Sequence, residues 1–271
     1  MLTRWTAPAK LTVTLAVTGV RDDGYHLLES EMVTLDLADT LEIDDAGAGG
    51  GVAADLEVAT AWPADSVVRD PEALGPVADN LVVRALAATG RTAHVRLVKR
   101  IPPGAGLGGG SADAAAVLRW AGCHDAGIAA GLGADVPFCV AGGRALVRGI
   151  GEDVTPLPFE ERTFVLVLPP FGVDTAAVYR AFDRLGGPQA SGGRSTGNDL
   201  MAAALEVEPR LAVWRRALEE ATGRPARLAG SGSTWFVEGG ADGVDPGTEA
   251  WLEQEGQSAP LLVARTVPAP T

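Results

Sequence analysis

Lysine is almost missing from this chain. Of 22 basic residues only Lys10 and Lys99 are lysine, and the other twenty are arginine. A chain that uses arginine wherever a surface cation will do keeps a lysine where a compact, point-like ammonium is needed; the alternative is compositional drift. Cysteine is equally scarce. Cys123 and Cys139 are the only two, set in apolar company without metal-ligand spacing, which points to a reduced, cytoplasmic protein and not a disulfide scaffold. No stretch approaches the roughly eighteen apolar residues of a membrane span. The opening "MLTRWTAPAKLTVTLAV" holds Lys10 inside its apolar part and alternates like a strand, unlike a signal peptide. Positive charge is also short. A net charge of −13 disfavours nucleic acid and anionic membranes as partners. An anionic small molecule stays possible, because its site needs only local positive potential.

What is present is a globular composition, 46% hydrophobic and 21% charged over 271 residues, enough for one large domain or two smaller ones. In "KLTVTLAVTGV" Leu11, Val13, Leu15 and Val17 share one face. Lys10 and Thr12 share the other, so they point away from the core toward solvent or a ligand. "RDDGYH" is a turn, and "SEMVTLDLADTLEI" reads as one or two strands. Residues 45–66 read as an irregular insertion. "DNLVVRALAATG" is a helix with Asn80 as N-cap candidate, "AHVRLVKRI" a strand and "SADAAAVLRWAG" a helix. "RALVRGIGEDVTPL" and "TFVLVLPPFG" are strands. "DTAAVYRAFDRL" and "NDLMAAALEVEPRLAVWRRALEEATG" are helical, the second broken near Pro209. "RPARLAGSGSTWFVEGG" is strand, glycine turn, strand. The order does not alternate as regular βαβ units, so α+β is the expected class. A division falls in the turn-rich Asp153–Pro158 stretch, giving units 1–153 and 154–271.

The segment Pro102-Pro103-Gly104-Ala105-Gly106-Leu107-Gly108-Gly109-Gly110-Ser111-Ala112 bares backbone just ahead of a helix. Gly104, Gly106 and Gly109 fit the dinucleotide spacing, but two prolines interrupt the strand and no acidic strand end follows about twenty residues on. The Walker spacing also fits except that its essential lysine is Gly110. Physics favours a third reading. Consecutive glycines let N–H groups turn inward as an anion nest, and the next helix's N-terminus favours phosphate by its dipole. Ser111 is then the expected helix cap, and Asp113 is expected to point away from the anion. A glycine-rich connector without a ligand is the plain alternative.

This loop resembles the phosphate-binding loop of the GHMP kinases, the superfamily of galactokinase, homoserine kinase and mevalonate kinase. "APAKLTVTLAVTGVRDDGYHLLES", "DNLVVRA", "LGADVPF", "TGNDL" and "LAGSGSTWF" look like the successive signatures of its 4-diphosphocytidyl-2-C-methyl-D-erythritol kinase family, in family order from residue 7 to about residue 237. The resemblance implies a two-domain α+β fold, a ribosomal protein S5 domain 2-like N-terminal domain with a ferredoxin-like C-terminal domain. It implies transfer of the ATP γ-phosphate to the substrate's 2-hydroxyl in the non-mevalonate isoprenoid pathway. Mg²⁺ is expected with ATP, with its protein ligands unassigned, in a monomer or weak homodimer. The rival readings are another small-alcohol kinase of the superfamily and a catalytically silent nucleotide binder.

Residue by residue, the resemblance implies that Lys10 and Asp135 meet in the catalytic site. A carboxylate can position a hydroxyl and take its proton, and an ammonium stabilises charge on the transferred phosphoryl group. Taken singly, Asp135 is a helix or turn cap and Lys10 a surface ion-pair partner. The resemblance places Tyr25 and His26 at the cytidine end, where a Tyr can stack and a His can hydrogen-bond. It places Thr12 and Thr175 at the substrate, and Asn80 and Lys99 with residues 102–112 at the nucleotide. Tyr25 is otherwise a turn aromatic packed on a neighbouring strand, and Asn80 and Thr175 plain helix caps. The second glycine turn, Gly230-Ser231-Gly232, is expected against the phosphate loop. Four departures stand out. Thr12 replaces a common Asn and Ser233 the usual Pro. The chain before "LGADVPF" is about two helical turns short, and residues 45–66 are longer than usual.

Overall fold

A computed structural model describes residues 1–45, 55–61, 76–188, 197–240 and 250–270. Its spine is β3 (His26–Asp44), one strand of 19 residues where one or two were expected. The half nearer His26 pairs with β2 (Ala16–Val20) and β6 (Arg144–Gly149). The half nearer Asp44 pairs with β1 (Leu2–Thr12) and β5 (His94–Lys99). β4 (Asp55–Thr60) and β7 (Asp153–Pro156) complete a seven-stranded sheet. β4 corrects the reading of 45–66 as irregular. Its alternating residues pair in parallel with β5 along their whole length, and the rest of that stretch lies outside the described residues, apart from Asp45 and Ala61. β7 pairs with β6, which keeps the chain in this sheet through Pro156.

The second sheet is antiparallel, in the order β11 (Ala250–Gln254), β12 (Gln257–Arg265), β8 (Thr163–Val167), β10 (Trp235–Glu238), β9 (Arg227–Leu228). Strand alternation sorts its residues into two cores. Val165, Val167 and Trp235 pack with α5 (Thr175–Arg184), α6 (Met201–Val207) and α7 (Leu211–Thr222). Phe164, Leu166 and Phe236 pack with Leu11, Val13, Val33 and Leu35 of the first sheet. The first sheet's other face packs Leu41, Ile43, Val95 and Leu97 against α1 (Leu81–Ala88), α2 (Gly109–Trp120) and α4 (Val136–Ala141), with α3 (Ala126–Leu132) beside them. The layers therefore run helices, sheet, sheet, helices.

One irregularity positions the site. The β1–β3 register shifts between Pro8 and Lys10, and such a bulge re-aims the residues beyond it. Ala7 faces the α2 layer, whereas Ala9 and Leu11 face the second sheet, so Lys10 takes up the α2 side. Lys10 and Thr12 do share a face opposite Leu11 and Val13, but it is not a solvent face. They are 5% and 2% exposed, because the glycine loop and the turn at Gly230 cover them.

The second core leans on Trp214, 2% exposed in the first turn of α7. Trp214→Ala is expected to cost about 3–5 kcal/mol, read as a lower midpoint in urea at unchanged slope.

Candidate active site

The glycine loop leaves β5, passes Ile101 and Pro102, and enters α2 through Gly108. Gly104, Gly106 and Gly108 have φ of +71°, +77° and +67°, which side chains resist. Close approach forbids a side chain as well. A Cβ on Gly106 would lie 2.6 Å from the backbone oxygens of Ala229 and Gly232, and one on Gly108 would lie 2.7 Å from Lys10 Cγ. The second glycine turn is thus against the loop, joined by a hydrogen bond from Thr234 N–H to Ala105 O at 3.1 Å. Asn198 holds that turn from behind, its amide donating to the carbonyls of Leu228 and Gly230 at 2.9 and 2.6 Å.

Gly108 is the N-cap of α2, which corrects the assignment of Ser111 as cap. Ser111 lies inside the first turn, and the first intrahelical bond runs from Ala112 N–H to Gly108 O. A glycine cap offers no side-chain oxygen, so the helix's leading N–H groups stay available to an anion. They face a cavity of about 370 Å³ lined by residues 79–81, 99, 101–106, 108–111 and 113. Asn80 caps α1, accepting from Val82 N–H at 2.9 Å, and also lines this cavity.

Lys99 lines the cavity too, but its ammonium is not free for a nucleotide. It is 3% exposed and bonds both Asp39 and Asp113 Oδ2, the latter at 2.7 Å. Asp39 Oδ1 in turn accepts the backbone N–H groups of Arg100 and Ile101. Lys99 therefore ties the strand before the loop to the helix after it. The two carboxylates hold its pKa up against burial, which pulls it down. Asp113 does not point away as expected. It lines the cavity, with Oδ1 buried and unpartnered, and burial pushes its pKa up to about 7 against the attraction of Lys99.

At the far side of Gly108, Lys10 Nζ lies 3.1 Å from Asp135 Oδ2 and donates to Thr12 Oγ1 at 3.1 Å. Asp135 occupies the N-cap position of α4, followed by Pro137, yet makes no capping bond. Its carboxylate, about one-third exposed, is turned to Lys10 instead. An ammonium, a carboxylate and a helix N-terminus thus stand side by side.

Tyr25 ends the Arg21–Tyr25 turn and His26 starts β3. Tyr25 is 59% exposed, with the Arg21 guanidinium 5.4 Å from its ring centre. His26 meets α5. Its ring centre is 4.7 Å from that of Tyr179, and its Nε2 is 2.7 Å from Asp183 Oδ1. Burial, with the charge of Asp135, raises the Tyr179 phenol to about 12. Thr175 opens α5, but Asp174 caps it; the Thr175 hydroxyl bonds Ser231 Oγ at 2.8 Å. Ser233 is fully buried, its hydroxyl without a partner.

A family model described as "GHMP kinases N terminal domain" matches residues 80–143. The 4-diphosphocytidyl-2-C-methyl-D-erythritol kinase of Paracoccus denitrificans (strain Pd 1222) is 41% identical over 248 residues, covering 86% of this chain and 85% of its own. That of Pelotomaculum thermopropionicum (strain DSM 13744 / JCM 10971 / SI) is 40% identical, covering 85% of this chain and 86% of its own. The chain belongs to the 4-diphosphocytidyl-2-C-methyl-D-erythritol kinase family. A crystal structure of a 4-(cytidine 5'-diphospho)-2C-methyl-D-erythritol kinase superposes with a TM-score of 0.65 at 31% identity, covering 86% of this chain and 89% of that one. A homoserine kinase from Cytophaga hutchinsonii, 18% identical with a TM-score of 0.51, shares the GHMP kinase fold alone, covering 88% of this chain and 85% of its own.

Within this kinase fold, sequence reasoning missed Asp39, Asn198, Tyr179 and Asp183. Asn198 stood in the quoted TGNDL stretch without a role, and Tyr179 and Asp183 carried a signal in their spacing of four on an amphipathic helix.

Two predictions follow from the loop. Gly106→Ala is expected to cost about 1–3 kcal/mol, measured as a lower Tm, and to raise KM for ATP. Asp113 binds its proton more tightly folded than unfolded, so the native state holds an extra proton between its ordinary value of 3.8 and about 7. Raising pH through that window withdraws this contribution and lowers stability. Urea titrations across it are expected to show a flatter profile for Asp113→Asn than for the parent.

Proposed function

We propose that this protein transfers the γ-phosphate of ATP to the 2-hydroxyl of 4-diphosphocytidyl-2-C-methyl-D-erythritol. The observation that carries the reading is the Lys10–Asp135 pair beside the glycine-capped N-terminus of α2. ATP is the phosphoryl donor of this kinase family. Its phosphates fit the cavity between Asn80 and Ser111, received by the loop's N–H groups and the helix dipole. Lys99 acts there through the loop and not by touching the nucleotide.

Asp135 accepts a hydrogen bond from the acceptor hydroxyl, orients it in line with the γ-phosphate, and takes its proton as the new P–O bond forms. Lys10 holds that carboxylate and faces the charge on the transferred phosphoryl oxygens. Because such transition states are loose, positioning carries much of the rate. Thr12 accepts from Lys10, which fixes the ammonium in place. Tyr25 and His26 fit the cytidyl end of the substrate, and Thr175, bonded to Ser231 in the turn beside Lys10, fits a part of it nearer the reacting hydroxyl.

Mg²⁺ fits the site. Among the described residues no group of three or more His, Cys, Asp or Glu forms a metal cluster. That suits an ion held mainly by nucleotide phosphates with one or two protein oxygens. The Ser111 hydroxyl on the cavity wall is the group that would hold it. When bound, the ion neutralises phosphate charge. Among the described residues no helix is long and apolar enough to cross a membrane; with the family's metabolic role this supports a cytoplasmic enzyme.

The test is ADP release with ATP and Mg²⁺, using the cytidyl substrate, then homoserine, then mevalonate. Release with the cytidyl compound alone is expected. Release only with one of the others would replace the reading with another small-alcohol kinase, and none with any would leave a silent nucleotide binder. Asp135→Asn is expected to lower kcat on the order of a hundredfold or more and to leave ATP affinity, by calorimetry, nearly intact. Equal turnover would remove Asp135 from the mechanism.

A further inference from the structure

The His26 ring has two nitrogens, and the fold engages one of them. Nε2 lies 2.7 Å from Asp183 Oδ1. The Asp183 side chain is half exposed, whereas that of His26 is only 10% exposed. An ionised carboxylate is an acceptor only, so the nitrogen facing it carries the hydrogen. Nδ1 of the neutral ring is then a lone-pair acceptor, and among the described residues no side chain or backbone group occupies it. The ring is also held in plane, with Tyr179 over one face at 4.7 Å and the edge of Phe182 at 6.1 Å. Tyr179, Phe182 and Asp183 are spaced three and four along α5, so one face of one helix sets both the orientation and the tautomer of the ring.

We propose that Asp183 is a positioning residue that holds His26 in its Nε2–H form and thereby makes the site select a pyrimidine bearing an amino group, cytosine, over one bearing an oxo group, uracil. This rests on the reading that His26 faces the substrate's base. At ring position 4 cytosine presents an N–H donor and uracil an oxygen acceptor. A bare Nδ1 hydrogen-bonds the first and opposes the second with lone pair against lone pair. At ring position 3 the preference would run the other way, since cytosine is an acceptor there and uracil a donor. The acceptor on His26 therefore reads cytosine through its amino group. Mismatched polar pairs of this kind give large discrimination because the buried partner is left unsatisfied.

Two measurements test this. The first needs no substrate. With three histidines in the chain, long-range ¹H–¹⁵N correlation of the imidazoles is assignable by comparison with His26→Asn. Where the ring is neutral, its hydrogen is expected on Nε2 in the parent and on a mixture of both nitrogens in Asp183→Ala. An imidazolium or an Nδ1–H ring in the parent overturns the proposal. The second compares kcat/KM for the cytidyl substrate and its uridyl counterpart. Asp183→Ala is expected to raise KM for the cytidyl compound on the order of tenfold with kcat held, and to shrink the cytidyl-to-uridyl ratio to match. Asp183→Glu is expected to restore part of that ratio. An active parent with the same ratio in Asp183→Ala overturns this proposal alone. A parent inactive on both compounds overturns the functional reading and this proposal with it.

Discussion

A buried ammonium organises the phosphate-binding half of the molecule. Lys99 is the last residue of β5, and its two carboxylate partners come from β3 and α2. Asp39 also receives the N–H groups of the two residues that start the loop. One cluster therefore fixes where the loop begins, where it ends and how far α2 stands from the sheet. Breaking a buried pair by removing one partner is costly, because it leaves an uncompensated charge. The glycines can be as permissive as they are because their two ends are held this firmly.

The cluster also explains why the two scarce lysines differ in use. Lys10 and Lys99 are both buried and both bonded to carboxylates. Lys10 faces a carboxylate that is about one-third exposed, so its partner can engage a ligand. Lys99 faces two carboxylates closed off from solvent, and its work is structural. The sequence distinguishes arginine from lysine by number, but only the third dimension separates these two roles.

Much of the site was legible because it is local. The loop, the α2 helix and the Asn80 cap are set by neighbouring residues, and glycine spacing reports them directly. Lys10 facing away from Leu11 and Val13 was also legible, since strand alternation is local. That this face is covered was not, because the cover comes from Gly108 and from Gly230, far along the chain. Ser111 was misplaced as a cap because serine is the common choice there, whereas an anion site is better served by Gly108. The partners of Asp39, Asn198 and Asp183 were invisible for one reason. All three act across a large sequence separation, and no local pattern records which distant group a polar side chain meets.

The layered arrangement divides the labour in a way that bears on how such enzymes diversify. Lys10, Asp135, the loop and the Lys99 cluster all reside in the first sheet and its helices. The groups that grip the His26 ring sit on α5, in the outermost layer on the opposite side. If His26 faces the acceptor as proposed, substitutions on that one amphipathic helix would retune how the ring meets it while the Lys10–Asp135 pair and the loop keep their geometry. On the proposed reading the acceptor is recognised where the two halves meet, by a ring on β3 held from a helix of the outer layer, and the chemistry stays on the scaffold beneath.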